Sequence, residues 1–258
     1  MSVKRIFFEK FWVLVVCLML VPSSAWAFDF KAWDGLLKKH VGPTTIAGVR
    51  LAGVDYPAIK KDPAYTKLIV DLKSFSPATL KMSKEKMAFW INVYNIMAVK
   101  MVVDHYPVDS IKDARSLFQS VWKKNVGVVG GKEVTLNDIE HEILRKMGDP
   151  RIHVAIVCAS VSCPDLRKEA YTTDRLDAQL DDQMKLFLEN RGKGLQVDRN
   201  KGRVKLSKIF DWFEEDFKSK GGVLPFLSRY APEKDRSFLK KGDVDVSYLD
   251  YNWDLNKK

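Results

Sequence analysis

Cysteine and histidine are scarce in this chain, with three of one and four of the other in 258 residues. Cys17 lies in an apolar run near the N-terminus and is followed by Leu-Met-Leu, without the small residues that a lipoprotein signal sets before its cysteine. Two cysteines then remain, Cys158 and Cys163, too few for a disulfide-stapled scaffold. Their spacing is neither the Cys-x-x-Cys of a thioredoxin-like centre nor a paired zinc motif, and no close His or Cys pairs occur elsewhere, so no metal and no cofactor is expected. Long apolar runs are also missing. The longest, residues 11–21, falls short of the roughly 20 residues that span a bilayer. There is no internal repeat, no low-complexity tract, no flexible linker and no alternation of strand and helix, which excludes a solenoid and a doubly wound parallel sheet.

What the N-terminus does have is the three-part pattern of a secretory signal: Lys4, Arg5 and Lys10, then the apolar run, then Ala25-Trp26-Ala27. Cleavage after Ala27 predicts a periplasmic or secreted chain of residues 28–258 with no transmembrane anchor, read as one domain. The formal charge of +10 loses three bases and one acid with residues 1–27 and becomes about +8. In an envelope that excess suits an anionic component such as lipid headgroups or wall polymers, and no nucleic acid. It is partly local: Arg191, Lys193, Arg199, Lys201, Arg203, Lys205 and Lys208 face one acid, Asp198, in what reads as the solvated rim of a hairpin.

Residues 28–39 have helical apolar spacing, after which Gly42, Pro43, Gly53 and Pro57 predict an irregular connection. Pro63 opens a second helix toward Phe75. Residues 87–103 are apolar on every side except Asn92, Asn95 and Lys100, the pattern of a buried helix. The two amides need partners, because an unpaired buried polar group costs roughly 1–3 kcal/mol. A hairpin turns at Gly130-Gly131. A helix is expected over 136–146, a strand over 152–158, an amphipathic helix over 173–189 and a second hairpin at 195–197 and 204–206. Short helices near 210–217 and 224–230 and a last strand near 244–249 complete an α+β fold, mainly helical, with a buried central helix packed on a small, mostly antiparallel sheet.

Chemistry concentrates around residues 149–167, which hold Arg151, His153, Cys158, Ser162, Cys163, Asp165 and Arg167. Cys163 precedes Pro164, a favoured first helical residue, so a helix N-terminus is expected to favour its thiolate. With His153 or His141 as base and Asn92 or Asn95 as orienter, Cys163 or Cys158 would make a nucleophilic Cys-His-Asn site. Against that stands a disulfide between Cys158 and Cys163, the expectation we favour for two thiols five apart in an oxidising compartment. Glu140, Arg145 and Arg151 read as an ion-pair set at the turn into the strand, and with Ser162 and Arg167 they are the candidate binding residues.

Several stretches together are similar to the domain of unknown function family 547. They are Phe89-Trp-Ile-Asn-Val-Tyr-Asn95, Asp104-His-Tyr-Pro107, Leu136-Asn-Asp-Ile-Glu-His141 with Leu144-Arg145, and Asp149-Pro-Arg-Ile-His153. Residues 158–167 with Tyr171, Leu206-Ser-Lys-Ile-Phe210 and Tyr251-Asn-Trp-Asp-Leu-Asn256 continue the resemblance, which covers about residues 63–256. It implies a fold and no reaction; the family's eukaryotic members sit beside glutaredoxin-like or DEP domains, a thiol theme by association only. Helix-then-strand order also invites analogy with papain-like and transglutaminase-like hydrolases, although no cysteine begins the long helix here. Two readings follow: an exported, non-catalytic binding or scaffolding domain with a bridged cysteine pair, or a thiol-dependent hydrolase or transferase acting on an envelope peptide or amide.

Overall fold

Trp33, Leu36, Leu37 and His40 recur at helical spacing and bury one face of α1 (Lys31–His40). The structure, a computed structural model, describes residues 27–115, 119–241 and 244–258. The expected signal, residues 1–27, lies outside them except for Ala27. The connection expected after α1 is instead ordered. β1 (Val41–Ile46) and β2 (Val49–Val54) pair antiparallel around Ala47-Gly48, both at positive φ. Pro43 is tolerated because a two-stranded ribbon has only edges, where a missing N–H need cost no ladder bond. Asp55 then caps α2 (Tyr56–Lys61) by accepting from the Ala58 N–H, and Asp62 caps α3 (Pro63–Ser74) by accepting from the Ala64 N–H.

The central element is α4 (Ser83–His105), buried on every side over most of its length. β3 (Asn125–Val129) and β4 (Lys132–Thr135) form the expected hairpin, and the N–H groups of its turn, Gly130 and Gly131, donate to the last carbonyls of α3, Leu72 and Lys73. The helix expected over 136–146 is a π-helical stretch, Asp138–Leu144, and a 3-10 turn that ends at the left-handed Gly148.

The strand expected over 152–158 is not one. It is a single helical turn, α5 (Ile152–Ala155), followed by extended chain. Its apolar run is buried as expected, but its backbone is satisfied by a side chain of α4 rather than by a neighbouring strand. Nor does a helix follow Pro164: residues 164–175 are irregular up to α6 (Leu176–Glu189).

β5 (Leu195–Asp198) and β6 (Arg203–Leu206) form the second hairpin. After α7 (Ile209–Trp212), α8 (Glu214–Phe217), α9 (Val223–Leu227) and α10 (Glu233–Lys240), β7 (Asp245–Tyr248) adds parallel to β6. The fold is therefore α+β and mainly helical, with small sheets that are antiparallel except for this last pairing.

Two apolar clusters form the interior. One is built on α4, with Ile91, Ile96 and Met97 among Trp33, Leu72 and Ile139. The other gathers Met184, Phe187, Val204, Phe210, Phe217 and Leu227. The C-terminal segment is bonded to β2 and to the turn after Cys158. The N–H of Val161 bonds the Asp254 carbonyl at 2.9 Å, that of Ser162 bonds Asn252 at 3.2 Å, and that of Val54 bonds Asn256 at 2.9 Å. Among the described residues no helix is long and apolar enough to cross a membrane.

Candidate functional site

The two buried amides of α4 fix the path of the chain beside it. Asn95 donates to the Ala155 carbonyl and accepts from the Val157 N–H, each at 2.9 Å, which turns the chain out of α5 and delivers it to Cys158. Asn92 makes the same two-way contact with Tyr171, at 2.8 and 2.9 Å. Each is fully committed to backbone, and neither bonds an imidazole.

Cys158 and Cys163 are both free thiols, which corrects the expected bridge. The side chain of Cys163 folds back so that its Sγ accepts the Cys158 N–H at 2.7 Å. The Sγ of Cys158 is engaged instead with the hydroxyls of Ser160 and Tyr251, each at 3.1 Å. Between Cys158 and Ser160 stands Ala159, at φ +57°, a left-handed conformation that costs a non-glycine residue roughly 1–2 kcal/mol. It is held by the bond from the Asn256 N–H to its carbonyl, 3.1 Å.

The two sulfurs differ in character. Burial opposes ionisation of Cys158, but bonds from Cys163, Ser160 and Tyr251 outweigh it and bring the thiol from an ordinary 9.0 to about 7. Cys163 is fully enclosed; burial first, and then the hydrogen bond with Cys158 and its charge, push its thiol well up. The expected helix N-terminus at Pro164 is absent, so the reactive sulfur by environment is Cys158, the half-buried one. Lys193 lies beneath, only 2% exposed, donating to the Cys163 carbonyl at 2.7 Å and to Asp165 at 2.6 Å.

The histidines meet a carboxylate that the sequence did not bring forward. His153 Nε2 lies 2.7 Å from Asp216 Oδ2, its ring stacked on Phe213 at 4.0 Å between centroids. Arg145 clamps the same Asp216 through two bonds of 2.7 Å and reaches His141 Nδ1 at 2.9 Å. Burial, joined by the nearby Arg145 charge, lowers both histidines; in His153 it outweighs the pull of Asp216, so the ring is neutral at pH 7. Among the described residues His153 Nδ1 is buried without a partner.

Arg145 therefore does not pair with Glu140, nor does Arg151, which takes Asp149, Asp177 and Asp181 instead. The expected ion-pair set is corrected to two separate networks. Glu140 bonds the Tyr94 hydroxyl at 3.1 Å, and burial raises its carboxyl from 4.5 to about 7 against the opposing Tyr94 bond. Ser162 exchanges bonds with Asn252, while Arg167 holds Glu169, Asp182 and Gln183; both are scaffold contacts.

Glu140, His153, Cys158 and Cys163 converge on one cavity of about 510 Å³, where residues of the two apolar clusters face each other. That volume suits a small-molecule site. Its remaining wall is aromatic: Trp253 lies 4.5 Å from Tyr251, 5.8 Å from Trp212 and 5.9 Å from Trp122 between ring centroids. Trp212 is 46% exposed, unusual for so large an apolar side chain. Lys112 completes the wall, its Nζ 3.5 Å over the Trp253 ring. Asp216, Tyr251, Trp212, Trp253 and Lys112 were not among the expected site residues; for Tyr251 and Trp253 the dense C-terminal motif was the available signal.

Residues 77–188 match the model of the family described as a protein of unknown function, DUF547. The match bears out the resemblance over α4, the Cys158 turn and most of α6, and stops short of Trp212, Asp216 and Tyr251. No curated protein and no solved structure matches the chain.

Proposed function

We propose that the cavity is the reactive site of a thiol-dependent hydrolase or transferase, with Cys158 as nucleophile and an envelope peptide or amide as substrate. One observation carries this reading: a free, half-buried thiol, brought to about 7 by its neighbours, opens on a cavity of about 510 Å³. Attack of the Cys158 thiolate on a carbonyl carbon forms the C–S bond and breaks the C–N bond, and the departing amine takes a proton from the cavity wall. Glu140, which exchanges its proton near neutrality, is the donor with matched affinity. Water, or an acceptor amine or hydroxyl, then cleaves the thioester and returns the proton. His153, oriented by Asp216 and neutral, is the further candidate base.

Export rests on the three-part N-terminal pattern, and affinity for an anionic envelope component on the basic excess of the chain. A non-catalytic binding role rests on a different observation: neither imidazole bonds a sulfur.

The two separate with a p-nitrophenyl ester and intact-mass detection. The enzyme reading expects an acyl adduct on Cys158 and release of several equivalents of nitrophenol per protein. Both should be lost in Cys158→Ser and kept in Cys163→Ser. Release that stops at one equivalent, or survives in Cys158→Ser, leaves the binding role.

A further inference from the structure

Lys112 and Arg115 stand exposed at the rim of the cavity. The acids nearest to them in sequence are spent elsewhere. Asp113 accepts from the N–H groups of Asp109 and Ser110 as half of a capping box, and Asp109 pairs with Lys257 at 3.0 Å. Among the described residues neither cation has a carboxylate partner. Lys112 is nonetheless held in place: Ser110, in the same turn, donates to the Trp253 carbonyl at 2.8 Å, which fixes the ammonium over that ring.

The wall beside these cations is aromatic. Trp253 and Trp212 lie nearly parallel, 20° apart, and Trp122 meets Trp253 edge-on. Among the described residues lining the cavity, Glu140 is the one carboxylate and no side-chain amide occurs. Sugar hydroxyls need several such acceptors beside an aromatic platform, so the chemistry here is not that of a saccharide site.

We infer that the ligand is an acylated amino acid, or the C-terminal residue of a short peptide, whose free carboxylate pairs with Lys112 and Arg115 while its apolar side chain lies on the Trp253, Trp212 and Trp122 wall. This rests on the reading of the cavity as the substrate site and names what enters it. Fixed cations beside a desolvating aromatic surface reward a carboxylate more than cations in bulk water, because a charge-assisted bond there is less screened. The placement also leaves the ligand's amide within the same cavity as Cys158.

The test compares N-acetyl-tryptophan with N-acetyl-tryptophanamide by titration calorimetry, using the full chain carrying Cys158→Ser so that no turnover interferes. The carboxylate should bind at least about tenfold more tightly than the amide. In Lys112→Gln/Arg115→Gln the two should fall to within about twofold of each other. Equal affinity of the two probes, selectivity that survives the double substitution, or binding of neither probe would overturn the inference. Carboxylate selectivity in the Cys158→Ser chain, alongside absent nitrophenol turnover by the wild-type chain, would sink the enzymatic reading alone.

Discussion

The thiol of Cys158 offers the sharpest test of the site, because its environment makes a numerical demand. A cysteine of ordinary 9.0 is about 1% thiolate at pH 7, whereas one at about 7 is half ionised, roughly a 50-fold gain in nucleophile. The weaker basicity takes part of this back. With a Brønsted slope of 0.4–0.5 over two units, each thiolate is about 6–10 times less reactive, leaving a net gain of about 5–8-fold toward a disulfide reagent. The rate of reaction with the neutral reagent 4,4′-dithiodipyridine, followed against pH in the wild-type chain, where burial keeps Cys163 protonated, should therefore be half-maximal near pH 7. Tyr251→Phe removes one hydrogen bond to the thiolate, worth about 1.5–3 kcal/mol, or about one to two pH units at 1.36 kcal/mol each. Cys158 is half-buried and partly screened by water, so the lower end applies and the midpoint should rise to about 8. A wild-type midpoint at or above about 8.5, or a midpoint unmoved by Tyr251→Phe, refutes the reasoning.

Three further outcomes follow from the geometry. Glu140 rises from 4.5 to about 7 on folding, so the native state holds more protons than the unfolded chain between those values; its stabilisation is full below 4.5 and is lost as pH rises through about 7, on the order of 3 kcal/mol in all. Urea melts at pH 5 and pH 8 should show that fall in the wild type and a flatter dependence in Glu140→Gln. Asn95→Ala strands the Ala155 carbonyl and the Val157 N–H and should cost about 2–6 kcal/mol in the same melts, with the Cys158 midpoint displaced because the chain leading to it loosens. Gly194→Ala would set a methyl 1.8 Å from the Phe187 carbonyl oxygen and should destabilise by about 3 kcal/mol or more, so an unchanged melting temperature would contradict the path of the chain between α6 and β5.

The buried helix was legible because its apolar residues leave no polar face, and the two asparagines within it announced that partners had to exist. Both hairpins were legible from short apolar runs around turn residues. The failures share a cause. An apolar run at 152–158 says that a segment is buried and not how its backbone is satisfied. Here Asn95, 60 and 62 residues earlier, takes the bonds a strand would have used. The region 42–57 failed in the opposite sense, because glycine and proline were read as breakers where a two-stranded ribbon accommodates them. Spacing along one segment likewise paired Glu140 with Arg145, whereas Arg145 turns to Asp216, 71 residues away.

The cysteines show why local spacing misleads most at the site itself. Two thiols five residues apart look like a closed pair when only their own segment is considered. Their state is decided by a segment 93 residues later, whose Tyr251 hydroxyl bonds the Cys158 sulfur, while Asn256 holds the left-handed Ala159 between the two. Cys163 is occupied in the other direction, accepting the Cys158 N–H. A bridge would have to give up both arrangements and reorganise a turn that the C-terminal segment has already fixed. The contacts that keep the pair open are the ones that lower the Cys158 thiol and close the aromatic wall around it, so truncation before Tyr251 should remove the wall and the lowered midpoint together.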